Sequence, residues 1–189
     1  MDSHKSNGFS LKISIFNSQR NLNKGRGHET ITVFVFVKRG LAQLKVFFKV
    51  ESDLKALDQV LRYFDELNQP WIPKQDWLQC QLALAEGFTN AVRHAHKELP
   101  KEIPIEIELI LEQDSLEMKI WDQGFPFDLN AFLQNKRKNV DQFAPNGQGL
   151  PILQKIAAHL SYLRTEDNRN CLLIVKHFTQ LKHSELINE

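Results

Sequence analysis

The sequence predicts an α+β fold, a two-layer sandwich in which helices cover one face of a mixed β-sheet. Two segments, 53–67 and 76–99, carry apolar residues at helical spacing. The segment 104–122 alternates apolar and polar residues on both sides of a polar turn, as a β-hairpin does. Because a helix with one apolar stripe and a sheet with one apolar face bury these surfaces against each other, the patterns favour two packed layers.

The remaining strands are predicted from shorter runs near both ends of the sequence. Residues 31–37 and 43–50 are apolar runs separated by a charged turn that contains glycine. Residues 161–165 and 171–178 form a second pair around the polar turn EDNRN. The sequence therefore predicts a sheet that continues beyond the central hairpin.

Both long helices have a candidate capping residue. Ser52 precedes the first helix and is predicted to be its N-cap. After a loop with two prolines at 68–73, Asp76 is predicted to cap the second helix. A short helix is expected at 129–134, and another directly after Gly149.

The composition is that of one globular domain. The chain has 189 residues, of which 42% are hydrophobic and 25% are charged. We expect an N-terminal extension over 1–40 that is partly flexible and includes the alternating piece 9–16. The domain itself is predicted over 41–180, and a C-terminal tail over 181–189.

Charge and hydropathy argue against two classes of partner. A net charge of +1, without a dense basic stripe among aromatic residues, gives no reason to expect nucleic acid. The longest apolar run, 31–37, is far shorter than the ~18 to 20 residues that span a membrane. No basic-then-apolar leader opens the sequence, and Cys80 and Cys171 are predicted to be free thiols. We therefore expect a cytoplasmic protein.

The helix predicted over 76–99 has a polar face that could carry chemistry. Glu86 and Asn90 lie one turn apart on it, so a metal ion or a water molecule could contact both side-chain oxygens. Gly87 between them indicates close approach of a ligand or another backbone, and His96 is predicted to lie at the surface. The alternative is a solvated polar face, which is the commoner case for such a pair alone. The opposite, core-facing stripe is predicted to consist of Leu78, Leu82, Ala85, Phe88, Val92 and Leu99.

A second signal is an aspartate at the end of the central hairpin. Asp122 continues the apolar series Leu116, Met118 and Ile120, so it is predicted to end its strand on the helix-covered side. A carboxylate there needs hydrogen-bond donors from the fold or from a ligand. Gly124 would let a backbone or a flat ring approach closely. The alternative is an ordinary turn aspartate followed by a turn glycine.

A third signal is a glycine-rich loop ahead of a helix. The aperiodic segment 125–146 contains the basic residues Lys136 and Arg137 and is followed by glycines at Gly147 and Gly149. A loop of this kind presents free N–H groups and the positive end of the helix dipole, where phosphates bind. It lacks the spacing of both the Rossmann fingerprint and the lysine-bearing phosphate loop.

In this order, the three motifs resemble those of the small bacterial anti-sigma factor serine/threonine kinases. That family lies within the GHKL class of ATP-binding domains, shared with histidine kinases, gyrase and heat-shock chaperones. The matching stretches are LALAEGFTNAVRHAH, WDQGFPFDL and NGQGLPIL, with NRNCLLIVK resembling the closing strand. The resemblance covers roughly residues 42–178 and implies a two-layer sandwich of the histidine-kinase-like ATPase (Bergerat) type.

The same resemblance implies that the ligands are ATP and Mg²⁺. It makes Asn90 the magnesium ligand and Asp122 the acceptor for the adenine amino group. Glu86 would be the base that takes a proton from a serine or threonine hydroxyl. The other residues of the implied nucleotide site are His94, Gly124, Gly147, Gly149 and Leu150.

The sequence departs from the family pattern in two places. Relatives often carry an arginine at the second glycine motif, where this sequence has Asn146 and Gln148. Contact with the terminal phosphate would then come from Lys136 and Arg137. Relatives also often have a hydroxyl residue at the start of the last strand, where Asn170 and Cys171 stand here.

By resemblance, the chain is expected to be a protein serine/threonine kinase and an anti-sigma-type regulator. It would transfer the terminal phosphate of ATP to a STAS-like anti-anti-sigma antagonist; a sigma factor and a second copy of the chain are further candidate partners. One alternative is a binding module that uses ATP only to shape its surface. Another is the ATPase domain of a histidine kinase system, disfavoured because no phosphoacceptor helix or helical hairpin precedes the domain.

Overall fold

Six β-strands form one sheet in the part of the chain that the computed structural model describes, residues 31–38, 41–138 and 149–179. The strands are β1 (Ile31–Lys38), β2 (Leu41–Val50), β3 (Ile105–Leu111), β4 (Ser115–Asp122), β5 (His159–Arg164) and β6 (Asn170–His177). They lie side by side in the order β1-β2-β3-β4-β6-β5. The predicted α+β class is confirmed, and the central hairpin has the expected register, with Leu109 opposite Met118.

Each pair of neighbouring strands in the described residues is antiparallel, so the prediction of a mixed sheet is wrong in this detail. β4 and β5 run in the same direction, and the helices between them suggest a parallel crossover. They are not neighbours, however, because β6 lies between them and is antiparallel to both. The position of β6 cannot be read from local sequence periodicity.

The helices cover one face of this sheet. They are α1 (Leu57–Asp65), α2 (Lys74–Asn90), α3 (Leu129–Lys138) and α4 (Gly149–Ile156), with a short 3-10 helix at Leu54–Ala56 before α1. α2 packs against α1, α4, β4 and β6. Its Phe88 is fully buried, as are Ile107 and Ile120 on the covered face of the sheet. This burial of apolar side chains between the two layers is the main stabilising term of the fold.

The other face of the sheet carries charged side chains in ladders. Glu108 on β3 pairs with Lys45 on β2 at 2.7 Å and with Lys119 on β4 at 3.2 Å. Glu106 pairs in the same way with Lys49 and with Arg169. Cross-strand pairs of opposite charge suit a half-exposed sheet surface. The face that carries them is therefore the one that the described helices leave uncovered.

The core-facing side of α2 differs from the predicted stripe. Leu78 and Leu82 are 52% and 44% exposed, whereas Trp77, Cys80 and Leu84 are buried. Both rows recur at intervals of three or four residues, so helical spacing alone does not choose between them. The row that contains Trp77 fills the space against the sheet, and this packing decides which side of the helix faces the core.

The predicted caps of the first two helices are also wrong. Asp53, not Ser52, accepts a hydrogen bond from the Lys55 N–H at the start of the 3-10 helix. At α2 the N-cap position is Pro73, and Asp76 lies buried inside the first turn. There the Asp76 carboxylate forms an ion pair at 2.9 Å with Lys176 of β6. This ion pair ties α2 to the sheet.

A π-helical turn at Ala91–Ala95 replaces the last regular turns of the predicted long helix. It is closed by the His96 N–H donating to the Ala91 carbonyl at 2.8 Å, an i to i+5 bond. The extra residue in this turn changes which side chains face inwards. His96, predicted at the surface, is instead buried, with 3% of its surface exposed.

The predicted domain boundaries at residues 40 and 180 stay predictions. β1 falls within the predicted N-terminal extension, yet it pairs with β2 along its whole length. The predicted segment 9–16 and the tail 181–189 lie outside the described residues. Within the described ranges, no helix combines the length and the apolar character that crossing a membrane requires.

Candidate functional site

A cleft of about 930 Å³ opens between the C-terminal half of α2, the end of β4 and the start of α4. A volume of this size suits a small-molecule ligand. The residues predicted for the site that line this cleft are Glu86, Asn90, His94, Asp122, Gly149 and Leu150. The fold thus brings together side chains that are more than sixty positions apart in the sequence.

Asp122 is buried at the inner end of the cleft, on the helix-covered side that strand alternation predicted. Its Oδ1 accepts hydrogen bonds from the Gly124 N–H at 2.9 Å and from Asn170 Nδ2 at 2.7 Å. Its Oδ2 accepts one from the Tyr162 hydroxyl at 2.7 Å. A carboxylate offers about four acceptor directions, so these described contacts leave one open on Oδ2.

A second layer of hydrogen bonds supports this aspartate. Asn170 is fully buried, and its Nδ2 also donates to the Gly124 carbonyl at 3.0 Å. Arg164 donates to the same carbonyl at 3.0 Å and to Asn170 Oδ1 at 3.1 Å. Burial, followed by the charge of Asp122, raises the pKa of the Tyr162 hydroxyl far above its usual range, so it stays a protonated donor.

Sequence reasoning did not identify Tyr162 or Arg164, and it noted Asn170 only as a departure from the family pattern. Asn170 stands at the start of β6, and Tyr162 and Arg164 lie on β5. They reach Asp122 or the adjacent Gly124 only because β6 lies next to β4. The register pairs Asp122 with Asn170 directly. A correct strand order would have been the signal that could find them.

Gly124 lies against the π-helical turn rather than in open solvent. A Cβ atom at this position would be 2.4 Å from the Ala95 carbonyl oxygen and 2.8 Å from the Ala95 Cα atom. Real Cβ contacts are not this short, and both neighbours are backbone atoms that cannot rotate away. The close approach that the sequence indicated for Gly124 is therefore made by the chain itself.

The outer end of the cleft is formed where α2 meets α4. A Cβ atom on Gly149 would be 2.4 Å from Glu86 Oε2 and 3.5 Å from Asn90 Nδ2. The Asn90 Nδ2 atom is buried and has no hydrogen-bond partner among the described residues. Because an unpaired buried amide is costly, Asn90 is the group here that most needs a ligand.

The walls between these two ends are largely apolar. Ile120 and Leu172 line the cleft from the sheet, and Phe127 lines it from the loop after β4. The Phe127 ring packs edge-on against Tyr162, with centroids 5.9 Å apart. Apolar walls with a few polar groups at the ends are typical of a site for a flat ring that carries polar substituents.

Three predicted site residues cannot be placed in the cleft. Gly147 lies outside the described residues, and Lys136 and Arg137 lie in α3 at positions whose side chains are also outside the described part. His94 lines the cleft from an exposed position at its rim. The roles predicted for these residues stay predictions.

Comparison with known proteins gives one family match and several relatives. Residues 50–176 match the family described as "Histidine kinase-like ATPase domain". "Serine-protein kinase RsbW" of Bacillus cereus (strain AH187) is 33% identical over 105 residues, which are 52% of this chain and 64% of that protein. The protein of the same name in Bacillus subtilis (strain 168) is 32% identical over 81 residues, 40% of this chain and 50% of that one. The chain thus spans between half and two thirds of the length of these two relatives.

Proposed function

Because the chain belongs to the histidine kinase-like ATPase family, we propose that it binds ATP in the cleft and transfers the terminal phosphate to a serine or threonine of a partner protein. One observation carries this proposal: a single cleft contains a buried carboxylate with an open acceptor direction and a buried amide nitrogen that has no hydrogen-bond partner in the described part of the chain. The first suits the amino group of a base, and the second suits the metal and phosphate end of a nucleotide. Relatives that are named serine-protein kinases support the same reaction.

Asp122 would accept a hydrogen bond from the exocyclic amino group of adenine. An ionised carboxylate is only an acceptor, so it would favour adenine over guanine, which presents a carbonyl oxygen at the equivalent position. Ile120 and Leu172 would contact the faces of the ring, and the removal of apolar surface from water would contribute to affinity. Gly124 would set the position of Asp122 rather than contact the base.

Asn90 fits a magnesium site of the kind that nucleotides bring with them. A rotation of the amide by 180° exchanges its nitrogen and oxygen, which would direct the oxygen into the cleft. Mg²⁺ takes oxygen ligands and keeps several waters, so one amide oxygen together with phosphate oxygens is a sufficient site. When bound, the metal would neutralise charge on the phosphates. Gly149, Leu150, Gly147, Lys136 and Arg137 would surround the phosphate groups.

Glu86 would act as the general base for the hydroxyl of the partner protein. It lies one helical turn before Asn90 and lines the same end of the cleft. Phosphoryl transfer depends mainly on positioning and charge neutralisation, so one carboxylate beside the metal can suffice. We propose an anti-anti-sigma protein of the STAS-like class as the phosphate acceptor and a sigma factor as a second partner.

A partner-binding module that holds ATP without transferring phosphate is the second candidate. Asn146 and Gln148 stand where relatives often carry an arginine, which favours this alternative. In such a module the nucleotide would only shape the surface around the cleft. The two candidates differ in the role that they assign to the Glu86 carboxylate.

Replacing Glu86 by glutamine separates them. Glu86→Gln should bind ATP with Mg²⁺ nearly normally but lose at least ~10² in the rate of phosphate transfer, the usual scale for removal of a general base. The assay follows labelled terminal phosphate into the partner that co-purifies with the wild type. Glu98→Gln is the matched control, because Glu98 is 78% exposed just beyond the same helix. Tight ATP binding without any transfer by the wild type would refute the kinase and favour the binding module.

A further inference from the structure

His96 is a buried histidine that the proposed reaction does not use. It follows the π-helical turn, and both nitrogens of its ring have hydrogen-bond partners. Nδ1 lies 3.1 Å from Ser52 Oγ, and Nε2 accepts a hydrogen bond from the Gln123 N–H at 2.9 Å. The ring therefore connects three separate elements: the end of β2, the π-helical turn and the end of β4.

The contact with Gln123 determines the tautomer of the ring. A backbone N–H can only donate, so Nε2 must be the unprotonated nitrogen. The proton of the neutral ring is then on Nδ1, from which it is donated to Ser52 Oγ. A protonated His96 would carry a hydrogen on both nitrogens and would lose its acceptor for Gln123.

Gln123 stands between the two residues that define the inner end of the cleft. Its backbone joins Asp122, whose carboxylate faces the cleft, to Gly124, which packs on the Ala95 carbonyl. The hydrogen bond from Gln123 to His96 is thus adjacent to that backbone contact. Together they hold the segment 122–124 on the π-helical turn.

We propose that His96 is a positioning residue for the nucleotide site: as a neutral ring it fixes the segment 122–124, and its protonation releases that segment and weakens nucleotide binding. This inference rests on the proposed binding of ATP. It concerns the orientation of Asp122 and requires no contact between His96 and the ligand.

The charges around His96 set the direction of the pH dependence. Burial lowers the pKa of His96 from 6.5, and the negative charge of Asp122 at the end of β4 opposes that effect. On the opposite side, Ser52 is flanked by exposed Glu51 and by Asp53, which pairs with Lys101 at 2.8 Å. The π-helical turn itself contributes Arg93 and His94, both exposed. Because its pKa is lowered, the ring stays neutral at and above pH 6.5, and the hydrogen bond is lost as the pH falls through the lowered pKa.

Two substitutions separate the hydrogen bond from the titration. In His96→Gln the side-chain oxygen can take the place of Nε2, and glutamine does not titrate. In His96→Leu the Gln123 N–H has no acceptor at any pH. ATP affinity would be measured by calorimetry for the wild type and both variants, from about pH 8 to about pH 5, across the range in which histidine titrates.

For the wild type, affinity should fall about tenfold more over this range than for His96→Gln, the scale of one hydrogen bond. His96→Leu should be about tenfold weaker than the wild type at the upper pH and show no extra loss at the lower. Because the pH titration of ATP is common to all three proteins, the difference between profiles reports on His96. Equal pH profiles for the wild type and His96→Gln would overturn the proposal, and this comparison stands even if His96→Leu fails to fold.

Proton-detected NMR of the histidine side chains tests the hydrogen bond without nucleotide. The expected result is a neutral His96 with its proton on Nδ1 near neutral pH and a Gln123 amide protected from exchange. A proton on Nε2 would overturn the positioning role. Absence of ATP binding at every pH would refute the proposed function and the effect on affinity, while the NMR result would separately show whether the hydrogen bond exists.

Discussion

The two ends of the cleft are built in different ways. At the inner end, the carboxylate of Asp122 receives donors from Gly124, Asn170 and Tyr162, and the glycine beside it packs on backbone. At the outer end, Asn90 Nδ2 has no partner among the described residues. We therefore propose that the inner end is organised before a ligand arrives and that the outer end is completed by the ligand. Preorganisation lowers the cost of binding, so the inner end should provide affinity and the outer end should provide dependence on metal and phosphate.

The largest effect on binding is expected from Asp122→Asn. It should lower ATP affinity roughly ten- to a hundredfold, because a hydrogen bond to a charged acceptor is worth ~1.5 to 3 kcal/mol. The fold should persist, since the new amide can donate to the Tyr162 hydroxyl, which accepts as well as donates. Calorimetry measures the ATP affinity, and a thermal unfolding scan shows whether the fold persists.

The control for this substitution is Asp114→Asn, which makes the same change of charge at an exposed residue of the β3–β4 turn. It should leave ATP affinity unaltered. If a folded Asp122→Asn protein binds ATP as tightly as this control does, Asp122 is not part of the nucleotide site.

A pair of glycine substitutions compares the two ends directly. In Gly124→Ala the new Cβ meets the Ala95 backbone, and such overpacking typically costs ~1 to 3 kcal/mol, so stability and ATP affinity should both fall. In Gly149→Ala the Cβ meets the Glu86 carboxylate, the flexible end of a side chain, which can move aside. Affinity should then stay within about threefold, because the half-buried Glu86 side chain can change rotamer towards the cleft. Denaturant unfolding measures the loss of stability of each variant, and calorimetry measures its loss of ATP affinity. Equal losses in Gly124→Ala and Gly149→Ala would contradict the difference between the two ends of the cleft.

Local patterns predicted much of the fold and the motif residues that line the cleft. Alternation located the central hairpin and placed Asp122 on its buried side, and helical spacing located α1 and α2. Spacing could not choose between the rows containing Leu78 and Trp77, because both are apolar at helical intervals. That choice depends on the shape of the space against the sheet, which is a property of the whole fold.

The supporting residues of the site were harder to predict for a related reason. Tyr162 and Asn170 lie forty and forty-eight positions after Asp122, and they reach it only because β6 pairs with β4. The π-helical turn that buries His96 has no sequence pattern of its own, since it differs from an α-helix only in hydrogen bonds that reach one residue further along the chain. Motifs therefore indicated residues that line the cleft, while tertiary structure was needed to identify those that hold them in place.

The most direct test of the account compares ATP with adenosine, each with and without Mg²⁺, on the wild type and on Asn90→Ala. Calorimetry should show that Mg²⁺ strengthens ATP binding to the wild type and leaves adenosine binding unchanged. In Asn90→Ala most of the increase in ATP affinity caused by Mg²⁺ should be lost, about tenfold in affinity, while adenosine binds normally. The control is Asn68→Ala, at an exposed loop position. Full Mg²⁺ dependence in Asn90→Ala, or a wild type that binds neither ligand, would contradict the proposed nucleotide site.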